Sequence, residues 1–232
     1  MSKAEEVEAL RVELGARLAE LRARIEAAAN GVGRAPSSIT CVAVSKLQSP
    51  AKIEAAHALG LREFGENYVQ ELEQKAETLK LPGLRWNFIG HLQSNKAKRL
   101  LLREVVVESL DRESLAQVLA KQAEALGRKL EVFVQVNLAA EAQKSGCSEA
   151  ELPTLLEAIT RLPALQLRGL MTVPPASEDA EDARPYFARL RLLAERFGLA
   201  ELSMGMSHDY EVAIAEGATR VRIGSALFGA RP

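Results

Sequence analysis

A lysine at the end of a short β-branched run is the first residue of this sequence that could do chemistry. Lys46 closes the run Val42-Ala43-Val44-Ser45-Lys46, and alternation along a strand puts its side chain on the same face as Val42 and Val44. If that face is apolar, desolvation disfavours the charged amine and favours the neutral amine, which is a nucleophile for carbonyl compounds. From the run alone, a lysine that extends to solvent at a strand end is an equally good interpretation.

An arginine lies in the last run of the same kind, Arg220-Val221-Arg222-Ile223-Gly224-Ser225. Alternation places Val221 and Ile223 towards the helices and Arg222 on the opposite face. An inward arginine needs hydrogen-bond acceptors, because an unpaired buried charge costs several kcal/mol. A ligand and a structural carboxylate would satisfy Arg222 equally well.

Two turns rich in small residues could bind an anion. One is Met204-Gly205-Met206-Ser207 and the other is Gly224-Ser225, and a helical pattern begins after each. Glycine lets the backbone approach an anion, and free N–H groups with a hydroxyl at the start of a helix attract phosphate. Together the turns favour a phosphate site, and tight closure of the fold by small residues is the alternative.

The elements that must position these residues alternate between strand-like and helical patterns. Apolar residues at steps of three and four predict a helix over the first 28 residues, which Asn30-Gly31-Val32-Gly33 ends. Ser49-Pro50 is a helix start and Gly60 is a helix stop, and later helices have similar signals. The strand-like runs are Thr40 to Lys46, Arg62 to Asn67, Arg85 to His91, Val105 to Leu110, Glu131 to Asn137, Leu165 to Met171, Glu201 to Ser207 and Arg220 to Ser225.

A strict β-then-α order predicts parallel strands joined by right-handed crossovers. Eight such units fit an α/β fold, a (β/α)8 TIM barrel with an extra N-terminal helix, whereas an open doubly wound sheet usually stops at about five or six strands. We therefore predict a single domain over residues 1–232, with the N-terminal helix at 1–30 and the barrel at 40–230. Barrels bind ligands at the C-terminal ends of their strands, and many bind phosphate after strands seven and eight, where the two turns fall.

Composition excludes several classes of protein. The 232 residues carry 30 basic and 31 acidic side chains, a balance that argues against a general nucleic-acid or membrane-surface binder. No run approaches the ~18 apolar residues of a membrane span and the N-terminus is acidic, so we expect a mature cytoplasmic protein. Cys41 and Cys147 are too few for a disulfide scaffold or a cysteine-based zinc site, and no metal-ligand motif occurs.

A family resemblance is carried by ordered blocks between about residue 40 and residue 230. The blocks are Ala43-Val44-Ser45-Lys46, Phe64-Gly65-Glu66-Asn67-Tyr68-Val69-Gln70-Glu71, Phe88-Ile89-Gly90-His91-Leu92-Gln93-Ser94-Asn95-Lys96, Gln135-Val136-Asn137 with Lys144-Ser145-Gly146, Leu202-Ser203-Met204-Gly205-Met206-Ser207, and Arg222-Ile223-Gly224-Ser225-Ala226-Leu227-Phe228-Gly229. In these blocks the chain resembles the pyridoxal phosphate homeostasis proteins, single-domain relatives of the alanine racemase N-terminal barrel. One departure is Asn87, where the family usually has histidine.

The resemblance implies that pyridoxal 5′-phosphate (PLP) is the cofactor and that Lys46 forms the internal aldimine with its aldehyde. It also implies that Ser207, Gly224 and Ser225 hold the phosphate and that Arg222 lies near the pyridine nitrogen. Unlike a carboxylate, an arginine there does not favour a protonated ring, so the ring would be a weaker electron sink than in most such enzymes.

Three more residues match the family by position. The side chain of Asn67 and the backbone of Met206 would complete the contacts with the cofactor. Lys144 matches a further lysine of the family, which would act as a secondary or transfer site for the cofactor. A solvated role in a loop is an equally good interpretation of Lys144.

The resemblance implies a protein of intracellular PLP homeostasis, which holds the cofactor as a Schiff base and delivers it to PLP-dependent apo-enzymes. We expect no catalytic residues and no enzyme activity, and we expect a monomer. The first alternative, a small amino-acid racemase, needs an acid or base on each face of the cofactor. Related racemases take the second from a tyrosine of another domain, which is not expected here, although Tyr68 and Tyr210 could approach the rim. The second alternative is an aldolase-like barrel enzyme that uses Lys46 as a Schiff-base nucleophile.

Overall fold

The computed structural model describes residues 2–141 and 144–229 and has a closed barrel of parallel strands at its centre. The strands are hydrogen-bonded in chain order, and the last pairs with the first, with Val42 opposite Arg222. They are β1 (Thr40–Val44), β2 (Glu63–Glu66), β3 (Arg85–Phe88), β4 (Val105–Leu110), β5 (Leu130–Gln135), β6 (Leu165–Met171), β7 (Glu201–Met206) and β8 (Arg220–Ile223). The predicted (β/α)8 barrel is therefore confirmed. Its predicted last residue, 230, lies outside the described residues.

Helices cover the outside of the barrel. They are α1 (Lys3–Gly31), α2 (Pro50–Ala58), α3 (Val69–Thr78), α4 (Ala97–Leu100), α5 (Glu113–Ala125), α6 (Leu152–Thr160), α7 (Arg184–Arg196), α8 (Tyr210–Ala215) and α9 (Ser225–Phe228). Within residues 2–141 and 144–229, none of them combines the length and the apolar character that crossing a membrane requires.

Helix α1 is the predicted extra helix, and it lies across the seam where the first and last units of the barrel meet. Its buried stripe, from Leu14 to Ile25, belongs to the main core, and the helix contacts α2, α8 and α9. Arg34, just beyond the helix, donates a hydrogen bond to the carbonyl of Ile214 at 2.9 Å. The N-terminal segment therefore ties the two ends of the barrel together.

Several strands are shorter than the sequence patterns predict, mostly at their C-terminal ends. The chain leaves β1 after Val44 and turns at Leu47, whose φ of 62° is left-handed. The runs predicted to end at Asn67, His91, Asn137, Ser207 and Ser225 stop one to three residues earlier. As a result, most of the polar residues flagged in the sequence lie in the loops at the C-terminal rim instead of in the strands.

The inside of the barrel holds a buried polar network, formed by Glu63, Asn87, Glu108, Ser203 and Arg220, that we call the barrel network. Glu108 accepts hydrogen bonds from Ser203 Oγ at 2.6 Å and from Arg220 Nε at 3.1 Å. Arg220 NH2 donates to Asn87 Oδ1 at 2.7 Å and to Glu63 Oε2 at 3.1 Å. Asn87 Nδ2 donates to Glu63 Oε2 at 2.9 Å. Asn87, the departure from the family pattern, thus uses both its Oδ1 and its Nδ2 atom in hydrogen bonds.

Candidate functional site

A cavity of about 360 Å³ opens at the C-terminal rim of the barrel, and we call it the rim cavity. Its volume lies in the range of small-molecule sites. The structure brings all seven predicted contact residues to it: Lys46, Asn67, Met206, Ser207, Arg222, Gly224 and Ser225. Residues far apart in the chain therefore meet in one place, as expected for loops that follow neighbouring strands.

Lys46 is carried by a tight turn between β1 and α2. Its side chain is half-buried and lines the rim cavity together with Val44, its predicted neighbour on the same face. The backbone around it is fixed, because Ser45 N donates to Gly65 O at 2.9 Å and Gln48 N donates to Ser45 O at 3.0 Å. The amine thus belongs to the wall of a cavity, in a turn of defined geometry.

Arg222 is 3% exposed and is directed into the barrel, as alternation predicts. Its NH1 group donates to Ser203 Oγ at 2.7 Å, and its NH2 group donates to the carbonyl of Thr172 at 2.8 Å. Burial lowers its pKa, and the negative charge of Glu108 opposes that effect. Protein acceptors therefore hold two of its nitrogens, while the side chain also reaches the cavity wall.

The loops after β7 and β8 converge on one hydroxyl group. Ser207 Oγ accepts hydrogen bonds from Gly224 N at 3.1 Å and from Ala226 N at 3.2 Å. Asp209 Oδ1 accepts from Met206 N at 2.6 Å and so fixes the backbone just before Ser207. Since the amides occupy the oxygen of Ser207 as donors, its hydroxyl hydrogen can be donated to a ligand. The two predicted turns thus form one donor-rich wall.

Asn67 lies on the wall next to Lys46 and has an unfilled acceptor. Its Oδ1 atom is buried, and no donor for it lies among the described residues. The backbone of Gly90 packs closely against that of Asn67, since a Cβ atom on Gly90 would lie only 2.2 Å from Asn67 O. A buried oxygen without a donor costs about 1–3 kcal/mol, so a ligand with a hydroxyl or N–H group could gain by donating to Asn67.

Lys144, the predicted secondary lysine, does not line the rim cavity in the described part of the chain. Its Nζ atom donates to the carbonyl of Pro174 at 3.0 Å and forms an ion pair with Glu141 Oε1 at 2.7 Å. Asn137 holds the same loop by donating to the carbonyl of Glu141 at 2.9 Å. The role of Lys144 as a cofactor site stays a prediction.

Neither tyrosine that the sequence places near the rim lines the cavity. Tyr210 is buried on the outside of the barrel, where the guanidinium of Arg24 lies 5.5 Å from the centre of its ring. Tyr68 occupies the N-cap position of α3, and its side chain is 58% exposed. Among the described residues, the tyrosine that a racemase would need is therefore not at this cavity.

Four wall residues were not named as contact residues from the sequence: Val44, Ile89, Val173 and His208. Val44 could have been found, since it lies two residues before Lys46 on the same face. Ile89 and Val173 follow strand ends, and an apolar residue at such a position has no distinctive pattern. His208 directly follows Ser207, and its neighbours in the sequence point to no particular role.

Comparison with known proteins gives one consistent result. Residues 16–232 match the family model described as alanine racemase, N-terminal domain. A pyridoxal phosphate homeostasis protein of Pseudomonas aeruginosa is 50% identical over 217 residues, which cover 92% of this chain and 94% of that protein.

Solved structures agree with this result. The PLP-bound structure of PipY from Synechococcus elongatus has a TM-score of 0.83 and 38% identity, and the match covers 93% of this chain and all of that one. An alanine racemase from Bartonella henselae with covalently bound pyridoxal phosphate has a TM-score of 0.70. At 16% identity, with 91% of this chain and 58% of that one covered, the racemase shows a shared fold alone.

Proposed function

The chain belongs to the family of pyridoxal phosphate homeostasis proteins, whose barrel is the alanine racemase N-terminal domain, and from this we propose that it binds and delivers PLP in the cytoplasm. In this proposal the cofactor occupies the rim cavity and is held as a Schiff base on Lys46. The observation that carries the proposal is the meeting of an amine, a donor-rich wall and a buried arginine in one cavity of about 360 Å³.

The wall formed by Ser207, Gly224 and Ser225 fits a phosphate group. The hydroxyl of Ser207 has a hydrogen to donate, and the N–H of Ser225 is one of the helix-start amides that have no acceptor within their own helix. A Cβ atom on Gly224 would lie 3.6 Å from Val44 Cβ, which is an ordinary contact, so close packing does not account for a glycine at this wall. Hydrogen bonds to a charged ligand are worth about 1.5–3 kcal/mol each, enough for a few of them to anchor a phosphate.

Arg222 and Asn67 fit the ring of the cofactor. No described residue accepts a hydrogen bond from Arg222 Nε, so this N–H can be donated to a ring nitrogen. A guanidinium keeps its own proton at neutral pH, and therefore it would leave the ring nitrogen unprotonated. Asn67 Oδ1, which is buried without a donor, would accept from a hydroxyl of the ring.

Lys46 supplies the covalent link in this proposal. When bound, the cofactor supplies an aldehyde with which the amine of Lys46 can condense. The amine shares the wall of the cavity with the side chains of Val44 and Ile89. Lys46 would then hold the cofactor by one end while the phosphate wall holds the other.

A carrier agrees better with the cavity than a racemase does. A racemase needs a second acid or base opposite Lys46, and neither Tyr68 nor Tyr210 lines the rim cavity. His208 is on the wall and is exposed, and this observation keeps weak racemase activity as the second candidate. We further propose that the carrier is a monomer and that apo-enzymes dependent on PLP receive the cofactor from it.

The binding proposal is tested by spectroscopy and mass mapping. Protein mixed with PLP should gain a visible absorbance band that borohydride removes, leaving a stable adduct on the Lys46 peptide. Lys46→Ala should lose both, while Lys121→Ala, which removes an exposed lysine of α5, should keep both. An unchanged band in Lys46→Ala would show that Lys46 is the wrong lysine, and an adduct on Lys144 would identify that residue as the site.

The alternatives are tested by turnover. The loss of optical rotation of common L-amino acids should proceed no faster with the loaded protein than with free PLP. Faster turnover that His208→Ala removes would establish a racemase instead of a carrier. A colourless protein that binds phosphorylated carbonyl compounds but not PLP would support the aldolase-like enzyme. Transfer of PLP to an apo-enzyme at a rate above that of the free cofactor would support delivery.

A further inference from the structure

The turn that carries Lys46 is held in place by buried charged residues outside the rim cavity. Glu66 at the end of β2, with Glu71 and Lys75 on α3, forms a compact ion cluster that we call the Lys75 cluster. Lys75 Nζ lies 2.8 Å from Glu66 Oε1 and 2.7 Å from Glu71 Oε1, and Lys75 is only 5% exposed. None of the three residues lines the rim cavity, so they can act on a ligand there only through other residues.

Glu66 and Lys75 of the Lys75 cluster bind Ser45, the residue before Lys46. Ser45 is fully buried, and its carbonyl accepts the third hydrogen bond of Lys75 Nζ, at 2.6 Å. Its hydroxyl donates to Glu66 Oε1 at 2.6 Å. Both polar groups of Ser45 that face the helix are thus fixed by the cluster.

Glu71 of the Lys75 cluster binds Leu47, the residue after Lys46. Glu71 Oε1 accepts a hydrogen bond from Leu47 N at 2.5 Å. Leu47 has a left-handed φ of 62°, a conformation that a leucine adopts only when its surroundings impose it. The contact with Glu71 supplies that constraint, because it pulls the amide of Leu47 towards α3.

Stability alone does not explain a lysine buried at this place. Burying an ion pair is often no better for stability than an apolar pair of the same size. The ammonium of Lys75 uses its three hydrogens on Ser45, Glu66 and Glu71, and two of these partners also bind the residues that flank Lys46. Such an arrangement fixes a geometry, which an apolar pair could not do.

We propose that the Lys75 cluster positions Lys46: its hydrogen bonds fix the turn on both sides of Lys46 and so direct the amine into the rim cavity. The inference rests on the proposed function, in which Lys46 bonds to the cofactor. Lys75, Glu66 and Glu71 are positioning residues, and they touch neither cofactor nor reacting atoms.

Glu71→Ala is the direct test, because Glu71 holds Leu47 and is the most exposed member of the cluster. Glu71→Gln retains an acceptor for Leu47 N and serves as the conservative rescue. Glu77→Ala is the matched control, since it removes an exposed carboxylate from the same helix that pairs with Arg103, away from the turn. The readout is the rate at which PLP, trapped with borohydride, labels Lys46.

We expect Glu71→Ala to slow labelling of Lys46 by about tenfold or more, because small misplacements of a reacting group have effects of this size. Glu71→Gln should recover most of the rate, and Glu77→Ala should match the wild type. Binding of 4′-deoxypyridoxine phosphate, which keeps the ring and the phosphate of PLP but has no aldehyde, should change less than about twofold in all three. Labelling at the wild-type rate in Glu71→Ala, or equal loss of rate and analogue binding, would overturn the inference.

A second readout uses the protein without cofactor and separates this inference from the proposed function. Mild reductive methylation with formaldehyde should modify Lys46 at a different rate in Glu71→Ala than in the wild type, relative to Lys121 in the same sample. If wild-type protein fails to bond PLP while the methylation difference persists, the proposed function falls and the positioning role stands. Identical methylation ratios in all variants would overturn the positioning role.

Discussion

Ser207 is the residue on which the proposed phosphate wall of the rim cavity depends. Its oxygen accepts two backbone hydrogen bonds from the loop after β8, so it belongs to the scaffold as well as to the wall. The sequence and the family resemblance predicted Ser207 as a phosphate contact, but they did not predict its hydrogen bonds to the loop after β8. The structure adds that this hydroxyl joins the last two βα loops into one surface.

Ser207→Ala is expected to weaken PLP binding by about tenfold to a hundredfold, which is the loss of one hydrogen bond to a charged group. Pyridoxal has no phosphate, and its affinity should fall much less. Titration of both compounds by absorbance measures the difference. Equal losses for the two compounds would contradict a phosphate contact at Ser207.

Residue types together with the family resemblance predicted the wall of the cavity well, and they predicted the buried residues that support it poorly. Lys46 and Arg222 were found because a strand alternates its faces, and a charged residue on an inward face stands out. Lys75 was missed, since a lysine on an amphipathic helix normally faces solvent. Its burial depends on Glu66 and Glu71, which come together with it only after β2 and α3 have packed.

At the level of elements, the close approach of α8 to β7 depends on Gly205. This glycine has a φ of 89°, and a Cβ atom on it would lie 2.5 Å from Ala213 Cβ. The helix can therefore lie against the end of the strand only if residue 205 has no side chain. That packing sets the position of the loop with Met206 and Ser207.

Gly205→Ala is expected to lower the free energy of unfolding by about 2 kcal/mol or more, from left-handed strain and the clash with α8. Gly31→Ala is the control, because a Cβ atom there would meet nothing within 4 Å, and its effect should stay within about 0.5–1 kcal/mol. Urea unfolding followed by circular dichroism measures both. Equal midpoints for Gly205→Ala and the wild type would contradict the packing argument.

Element order was predictable and element ends were not. The alternation of β-branched runs with helical patterns predicts eight parallel strands, because each helix crosses over and brings the next strand back in the same direction. The ends shift because loop residues such as Asn67 and Asn137 make local hydrogen bonds or tight contacts that a pattern of residue types does not contain. Helix α4 is preceded by a short 3₁₀ turn, and Ser94 Oγ at the start of this turn accepts a hydrogen bond from Arg112 instead of capping a helix.

At the level of the whole molecule, the barrel network joins strands from both halves of the sheet. Glu108 in β4 binds Ser203 in β7 and Arg220 in β8. Arg222 donates to the same Ser203, so the network also supports the floor of the rim cavity. Loss of Glu108 would leave Arg220 and Arg222 inside the barrel with less compensating charge.

Glu108→Ala is therefore expected to lower the free energy of unfolding by about 3–5 kcal/mol, the usual cost of removing one partner of a buried ion pair. Glu131→Ala, which removes a partly exposed partner of Arg85 and Arg168, should cost no more than about 1 kcal/mol. Thermal and urea unfolding of both variants measure the contrast. Similar losses for the two variants would show that the network contributes no special stability.

The pairing of β1 with β8 also bears on the order of events during synthesis. Lys46 emerges from the ribosome well before Ser207, Arg222 and Ser225, and non-local strand pairs form late because a long loop must close first. A nascent chain therefore has the lysine without the wall that would hold a phosphate beside it. Capture of the cofactor would then begin only after the last strand has joined the first, so that an incomplete chain cannot sequester it.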